Sequence, residues 1–269
     1  MSAAEITVPH RRPTEGDVAV RTHLWRPAAW RPADPVLVVL HGYRRNAADY
    51  RDVWAEHAER HRVMVAAPEF DREQFPGPRE YEVGNMRTPD RRAFLPEEDW
   101  SFGVVESAFD AACAWSGAEA RRYFLYGHSA GGQFVHRMAL FAPAARIEAA
   151  VAANAGAYTV PREEERYPYG LTGLAMGDEA LAAALSVRLM VLLGEEDTVT
   201  DAPMLLKSPE AMAQGPHRLA RGRYFYAAGE DMARLLPAPF AWELHTAPGV
   251  GHDNAGMARR AAELLFGDR

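Results

Sequence analysis

Gly127-His128-Ser129-Ala130-Gly131 places a serine between glycines in the pattern G-x-S-x-G. A hydroxyl is a weak nucleophile. Attack on an acyl carbon therefore needs an imidazole to take the proton and a carboxylate to hold the imidazole. The setting gives the pattern its weight. It follows the strand-like run Tyr123-Phe124-Leu125-Tyr126 and opens a helix over residues 130–141, the strand-turn-helix context of a nucleophile elbow. The serine of such an elbow occupies a strained turn, and flanking glycines let strand and helix approach closely. The plainer reading, a serine that caps a helix, leaves Gly131-Gly132 unexplained, because two glycines make a poor helix start.

The base should follow the nucleophile in the chain, after the last strand. Pro248-Gly249-Val250-Gly251-His252-Asp253 is a glycine-rich loop in that place, which makes His252 the candidate. His136 falls on the helix behind the serine and His245 within a strand, so both read as structural. His217 lies in an irregular stretch and lacks that topological position. The acid should follow a late strand. Val191-Leu192-Leu193-Gly194-Glu195-Glu196-Asp197 supplies strand, turn glycine and three carboxylates, of which Asp197 is the best placed. Glu195, Glu196 and Asp201 read as solvated or capping groups, and Asn154, after the previous strand, carries no charge.

A tetrahedral intermediate also needs two donors aimed at its oxyanion. The amide of Ala130, next to the serine, is one candidate. The turn Leu40-His41-Gly42-Tyr43 offers the amide of Tyr43 as the other. His41 and His128 read as groups that shape their turns.

These residues need elements to hold them. Apolar runs at residues 36–40, 63–67, 123–126, 147–153, 188–193 and 241–245 alternate with helical stretches at 47–60, 100–116, 130–141 and 254–266. Such alternation predicts an α/β fold: a mostly parallel central sheet with helices on both faces. Val18, Val20, Thr22 and Leu24 alternate with polar neighbours and predict an N-terminal hairpin. Residues 70–96, rich in Pro, Gly, Arg and Glu, read as a loop over the surface. Residues 157–186 and 201–239 read as rim or lid excursions that shape the pocket, Tyr167 and Tyr169 among them. With no repeat and no low-complexity linker, one domain spanning residues 1–269 is expected.

Composition bounds the function. The 269 residues carry a net charge of -7, and Lys207 is the only lysine among 30 basic residues. That balance argues against nucleic acid, which wants concentrated positive surface. No apolar run approaches the roughly 20 residues of a membrane span. Met1-Ser2-Ala3-Ala4-Glu5 has no leader character, and the single Cys113 excludes an intrachain disulfide, so a cytoplasmic protein is expected. Cys113 falls on one helical face with Val105, Ala108, Phe109 and Ala112 and reads as a buried structural thiol.

Taken together, Leu40-His41-Gly42-Tyr43, Gly127-His128-Ser129-Ala130-Gly131, Gly194-Glu195-Glu196-Asp197 and Gly251-His252 resemble the α/β-hydrolase superfamily over nearly the whole chain. The His-Gly turn and the Pro-Gly-x-Gly-His-Asp loop are similar to esterases of the polyhydroxybutyrate-depolymerase and feruloyl-esterase type. The resemblance implies an α/β-hydrolase fold and hydrolysis of a carboxylic ester through an acyl-serine intermediate, without metal or organic cofactor. The lack of a leader and of paired cysteines departs from the secreted depolymerases and favours a small-molecule ester substrate. Thioesterase, acyltransferase or peptidase chemistry would use the same triad, and a non-catalytic ligand-binding protein could share the fold. The sequence leaves a homo-oligomer open.

Overall fold

The computed structural model describes residues 2–174 and 176–267; Met1, at the head of the leader reading, and residue 175, within the first excursion, lie outside them. Eight strands form one sheet: β1 (Ser2–His10), β2 (Val18–Arg26), β3 (Val36–Leu40), β4 (Met64–Pro68), β5 (Tyr123–His128), β6 (Ile147–Ala153), β7 (Leu189–Gly194) and β8 (Glu243–Ala247). Their spatial order is β1-β2-β4-β3-β5-β6-β7-β8. The expected hairpin is β1 with β2, in antiparallel register from Ser2 opposite Arg26 to His10 opposite Val18. β2 joins β4 antiparallel, and from β4 to β8 every pairing is parallel.

The strands read as near-continuous apolar runs because both faces of the sheet are covered. Val36, Val38 and Leu40 of β3, with Tyr123 and Leu125 of β5, enter one core. Leu37 and Val39, with Phe124 and Tyr126, enter the other. The first core is closed by α2 (Phe102–Ser116), α3 (Ala130–Phe141), α4 (Asp178–Leu185) and α6 (Arg218–Leu235). The second is closed by α1 (Ala47–His61) and α7 (Asn254–Phe266). A short helix, α5 (Pro209–Gln214), precedes α6 and is capped by the Ser208 side chain.

Three expectations are corrected. Residues 70–96 run over the surface only in part, with 89–93 exposed. Phe70, Phe75 and Tyr81 have no exposed area, and their rings pack on one another and on Phe134 of α3, with Phe70 centred 4.5 Å from Tyr81 and 5.3 Å from Phe134. The excursion at 201–239 contains the 18-residue α6, which is core and not rim. Gly222 on α6 is the reason no apolar period marks it. A methyl group there would fall 2.2 Å from Leu193, so the helix approaches the sheet through a glycine where a large apolar residue would have announced it. The excursion at 157–186 begins in the core too, with Tyr158 buried and stacked 4.7 Å from Phe225. Cys113 sits at the core margin, half-buried. No helix among the described residues is long and apolar enough to cross a membrane.

Candidate active site

The parallel register brings the carboxyl ends of five strands to one edge of the sheet, where open α/β sheets place their ligands. Leu40 lies opposite Gly127, His128 opposite Ala153, and Gly194 opposite Ala247. Gly42, Ser129, Asn154, Asp197 and His252 therefore leave neighbouring strand ends.

Ser129 stands between β5 and α3 at φ 59 and ψ -112, a left-handed conformation that a residue with a Cβ rarely adopts. Its amide donates to Ala153 O at 2.9 Å, and its carbonyl accepts from Gln133 N at 3.0 Å. The turn is that sharp because Gly131 passes close to β3: a methyl group there would lie 2.4 Å from Leu40 O. The motif glycine is a packing requirement.

The structure brings the three predicted side chains together. His252 Nδ1 donates to Asp197 Oδ2 at 2.7 Å, which leaves Nε2 to accept from Ser129 Oγ at 3.0 Å. Asp197 is 1% exposed, whereas the His252 side chain is 31% exposed, so the acid is buried and the base is partly open to solvent. The other histidines are employed elsewhere. His217 caps α6 by accepting from Ala220 N at 3.2 Å. His245 meets Glu243 at 2.8 Å, and His136 bridges Gly132 O and Thr159 N. Glu195 accepts from Thr246 Oγ1 at 2.8 Å, and Glu196 and Asp201 are exposed.

Two residues that the sequence reading passed over position this set. Asn154 accepts from Gly194 N at 2.8 Å and donates to Gly251 O at 2.9 Å. It thereby clamps the loop of the acid to the loop of the base. Arg218, at the start of α6, donates Nη1 to Asp197 Oδ1 at 3.3 Å, with only 4% of its side chain exposed. Each Asp197 oxygen then has a donor of its own. Neither signal is legible in sequence, because both side chains act on partners distant along the chain, 40 residues for Asn154 and 21 for Arg218.

The turn after β3 lies against the nucleophile: a methyl group on Gly42 would sit 3.9 Å from Ser129 Cβ. His41 holds the turn as expected, with Nδ1 donating to Gly42 O at 2.9 Å and Nε2 accepting from Phe70 N at 3.0 Å. Tyr81 adds a hydrogen bond to His41 O at 2.6 Å. The aromatic loop thus shapes the site from below. Tyr43 is held by Arg72, which donates to its carbonyl at 3.0 Å and lies 4.5 Å over its ring. The amide of Ala130 opens α3, where orphan N–H groups favour negative charge.

Comparison with solved structures decides the family. Poly(aspartic acid) hydrolase-1 from Sphingomonas sp. KT-1 is 40% identical over 98% of both chains, with a TM-score of 0.92. The chain belongs to the α/β-hydrolase superfamily. The poly(3-hydroxybutyrate) depolymerase LpqC from Bordetella parapertussis is 37% identical over 100% of this chain and 91% of that one, with a TM-score of 0.91. The fluorophosphonate-binding serine hydrolase FphF of Staphylococcus aureus shares the fold at 15% identity and a TM-score of 0.59, over 98% of this chain and 97% of that one. No family model matches the chain, and no curated protein sequence does. Placed among these relatives, the protein is a hydrolase with an eight-stranded, mostly parallel sheet.

The hydrolase buries three imidazoles around the elbow and its supports. Burial lowers the pKa of His41 to about 3, and lowers those of His128 and His136 well below the usual value of 6.5, each for want of water around the charged form. Protonation of His41 Nε2 would also break its bond from Phe70 N. The unfolded chain takes up these protons near pH 6.5 and the folded chain does not. The stabilisation is therefore complete above pH 6.5 and is lost progressively as pH falls below it. Each imidazole contributes a slope of up to about 1.4 kcal/mol per pH unit. Urea unfolding is expected to give a midpoint that holds between pH 8 and 7 and drops steeply from pH 6 to 5. A midpoint level down to pH 5 would contradict this account.

Proposed function

We propose that the protein is a serine hydrolase that cleaves carboxylic esters through an acyl-serine intermediate. The observation that carries this reading is the unbroken chain from Asp197 through His252 to Ser129, at 2.7 and 3.0 Å, ending on a serine in a strained turn. Backbone strain concentrates where geometry serves a reaction.

In the proposed cycle His252 Nε2 takes the Ser129 proton as Oγ attacks the ester carbonyl. Asp197 keeps Nδ1–H oriented and stabilises the imidazolium. The amides of Tyr43 and Ala130 receive the oxyanion, and the imidazolium returns its proton to the departing alcohol. A water that loses a proton to His252 then attacks the acyl-serine, and the imidazolium gives that proton to Ser129 Oγ as the acid leaves. The proposed set needs neither metal nor organic cofactor.

The test is covalent. A fluorophosphonate is expected to add one phosphonyl group per chain, mapped by peptide mass spectrometry to Ser129, and to abolish hydrolysis of p-nitrophenyl butyrate in proportion. Labelling at another residue, or full labelling with turnover intact, would remove the proposal. A second reading has its own support. One 40% identical relative is a poly(aspartic acid) hydrolase, and the backbone of that polymer is an amide. Side-by-side turnover of matched ester and amide substrates separates the two.

A further inference from the structure

Beside α3 lies a crevice of about 330 Å³, walled by that helix, by the loop from Pro78 to Arg91 and by Tyr167 to Tyr169. Gln133 and Arg137 line it, following Ser129 at four-residue intervals. At the rise of an α-helix they stand roughly 6 and 12 Å along the axis from the nucleophile. Ser129 is not itself in the lining, so a substrate that reaches the crevice from the nucleophile must span at least that rise.

The charge of this crevice is out of keeping with a chain of net charge -7. Four arginines line it. Arg79 is neutralised by Glu15 at 3.2 Å and Glu80 at 2.9 Å. Arg87, Arg91 and Arg137 have no carboxylate at ion-pair distance among the described residues. Glu82 is the one acid in the lining, and burial raises its pKa toward the neutral form. At least two positive charges remain without a carboxylate at ion-pair distance among the described residues.

Two of the guanidiniums are held in place with donors to spare. Arg87 lies 4.3 Å over Phe94 and 5.1 Å over Tyr167 and donates Nη1 to Arg91 O at 3.0 Å. Its Nε is buried without an acceptor among the described residues. Arg137, 1% exposed, donates to Thr159 Oγ1 at 2.9 Å, Glu82 O at 2.8 Å, Gln133 O at 3.1 Å and, at 3.4 Å, Pro168 O. A guanidinium has five donors, so one Nη2 hydrogen is left over. Those four bonds make Arg137 a staple for the crevice walls, which is a sufficient structural role for it. They do not account for Arg87, whose fork serves a single carbonyl. A fixed guanidinium fork with unused donors matches a planar carboxylate, and low-dielectric walls strengthen the attraction.

We propose that this crevice is a subsite for a carboxylate carried by the substrate, so that the ester cleaved at Ser129 belongs to an acidic molecule. The inference rests on the ester-hydrolase reading for the bond that is cut, and on the crevice alone for the carboxylate.

Two matched pairs test it: p-nitrophenyl hexanoate against p-nitrophenyl hydrogen adipate, and the decanoate against the hydrogen sebacate. At low ionic strength kcat/KM is expected to favour the acidic ester by about 10-fold or more at one of the two lengths, the yield of one charge-assisted hydrogen bond. Arg87→Met should bring that ratio close to one, and Arg91→Met should lower it; Arg137 is left intact because its removal would loosen the walls. Calorimetric titration with adipate dianion provides a readout without hydrolysis, with binding expected in the wild type and lost in Arg87→Met. Adipate binding lost in Arg87→Met, with no ester turned over, would sink the ester reading and keep the subsite. Turnover of all four esters with no acidic preference and no adipate binding would overturn the subsite and keep the ester reading. A preference that survives Arg87→Met and Arg91→Met combined would also overturn it.

Discussion

Ser129→Ala is expected to lower kcat/KM on p-nitrophenyl butyrate by about 10⁴-fold or more, with no loss of thermal stability. The hydroxyl is the only group removed, and among the described residues its single side-chain partner is His252 Nε2 at 3.0 Å. The two candidate oxyanion amides belong to the backbone and remain, so a residual rate above that in water should persist. Stability should respond to a different replacement. The backbone at 129 is held at φ 59, and alanine keeps the Cβ that makes this conformation unfavourable. Glycine does not. Ser129→Gly should be as inactive as Ser129→Ala yet more stable by about 1 kcal/mol, the lower end of what such a strained residue costs. Urea unfolding of the pair checks the strain, and steady-state kinetics checks the chemistry. If Ser129→Gly were no more stable than Ser129→Ala, the turn would be relaxed. If Ser129→Ala kept its turnover, the serine would not be the nucleophile.

The elements around Ser129 were legible in sequence for the same reason that they position it. β3, β5 and β7 are buried on both faces and so read as unbroken apolar runs, and the motif glycines Gly127 and Gly131 mark where α3 must pass close to strand and turn. Asp197 and His252 were found because each ends a strand in a short loop. What stayed hidden is held by contacts that leave no local pattern. α6 packs through Gly222, and four of its residues are arginine, so its mean hydropathy is low for a core helix. The loop at 70–96 buries Phe70, Phe75 and Tyr81 singly, spaced by charged residues, and no period of two or 3.6 announces them. Asn154 and Arg218 act on partners 40 and 21 residues away in sequence, a relation that only the folded chain displays.

Arg218 is expected to produce the second large effect, on activity and stability together. Asp197 is 1% exposed and takes one donor on each oxygen, His252 Nδ1 at 2.7 Å and Arg218 Nη1 at 3.3 Å. Arg218→Met keeps most of the apolar stem and removes the second donor, leaving a buried carboxylate half-satisfied. Breaking such a pair from one side destabilises by about 3–5 kcal/mol. The freed carboxylate can also rotate, and with it the imidazole that must meet Ser129. A fall in kcat of roughly 100-fold follows if orientation accounts for half, in energy, of the 10⁴-fold that a misheld triad histidine costs. KM should change little, because Arg218 is a positioning residue that acts through Asp197. The thermodynamic cycle with Asp197→Asn separates this role from packing. Asparagine carries no charge to strand, so Arg218→Met should cost much less stability in that background, and the coupling should reach at least about 1 kcal/mol. Arg218→Lys, which keeps the charge on a shorter, unforked group, should recover part of the stability and part of kcat. Equal cost in both backgrounds, with kcat unchanged below the unfolding range, would reduce Arg218 to a packing residue and leave Asp197 to hold the histidine without it.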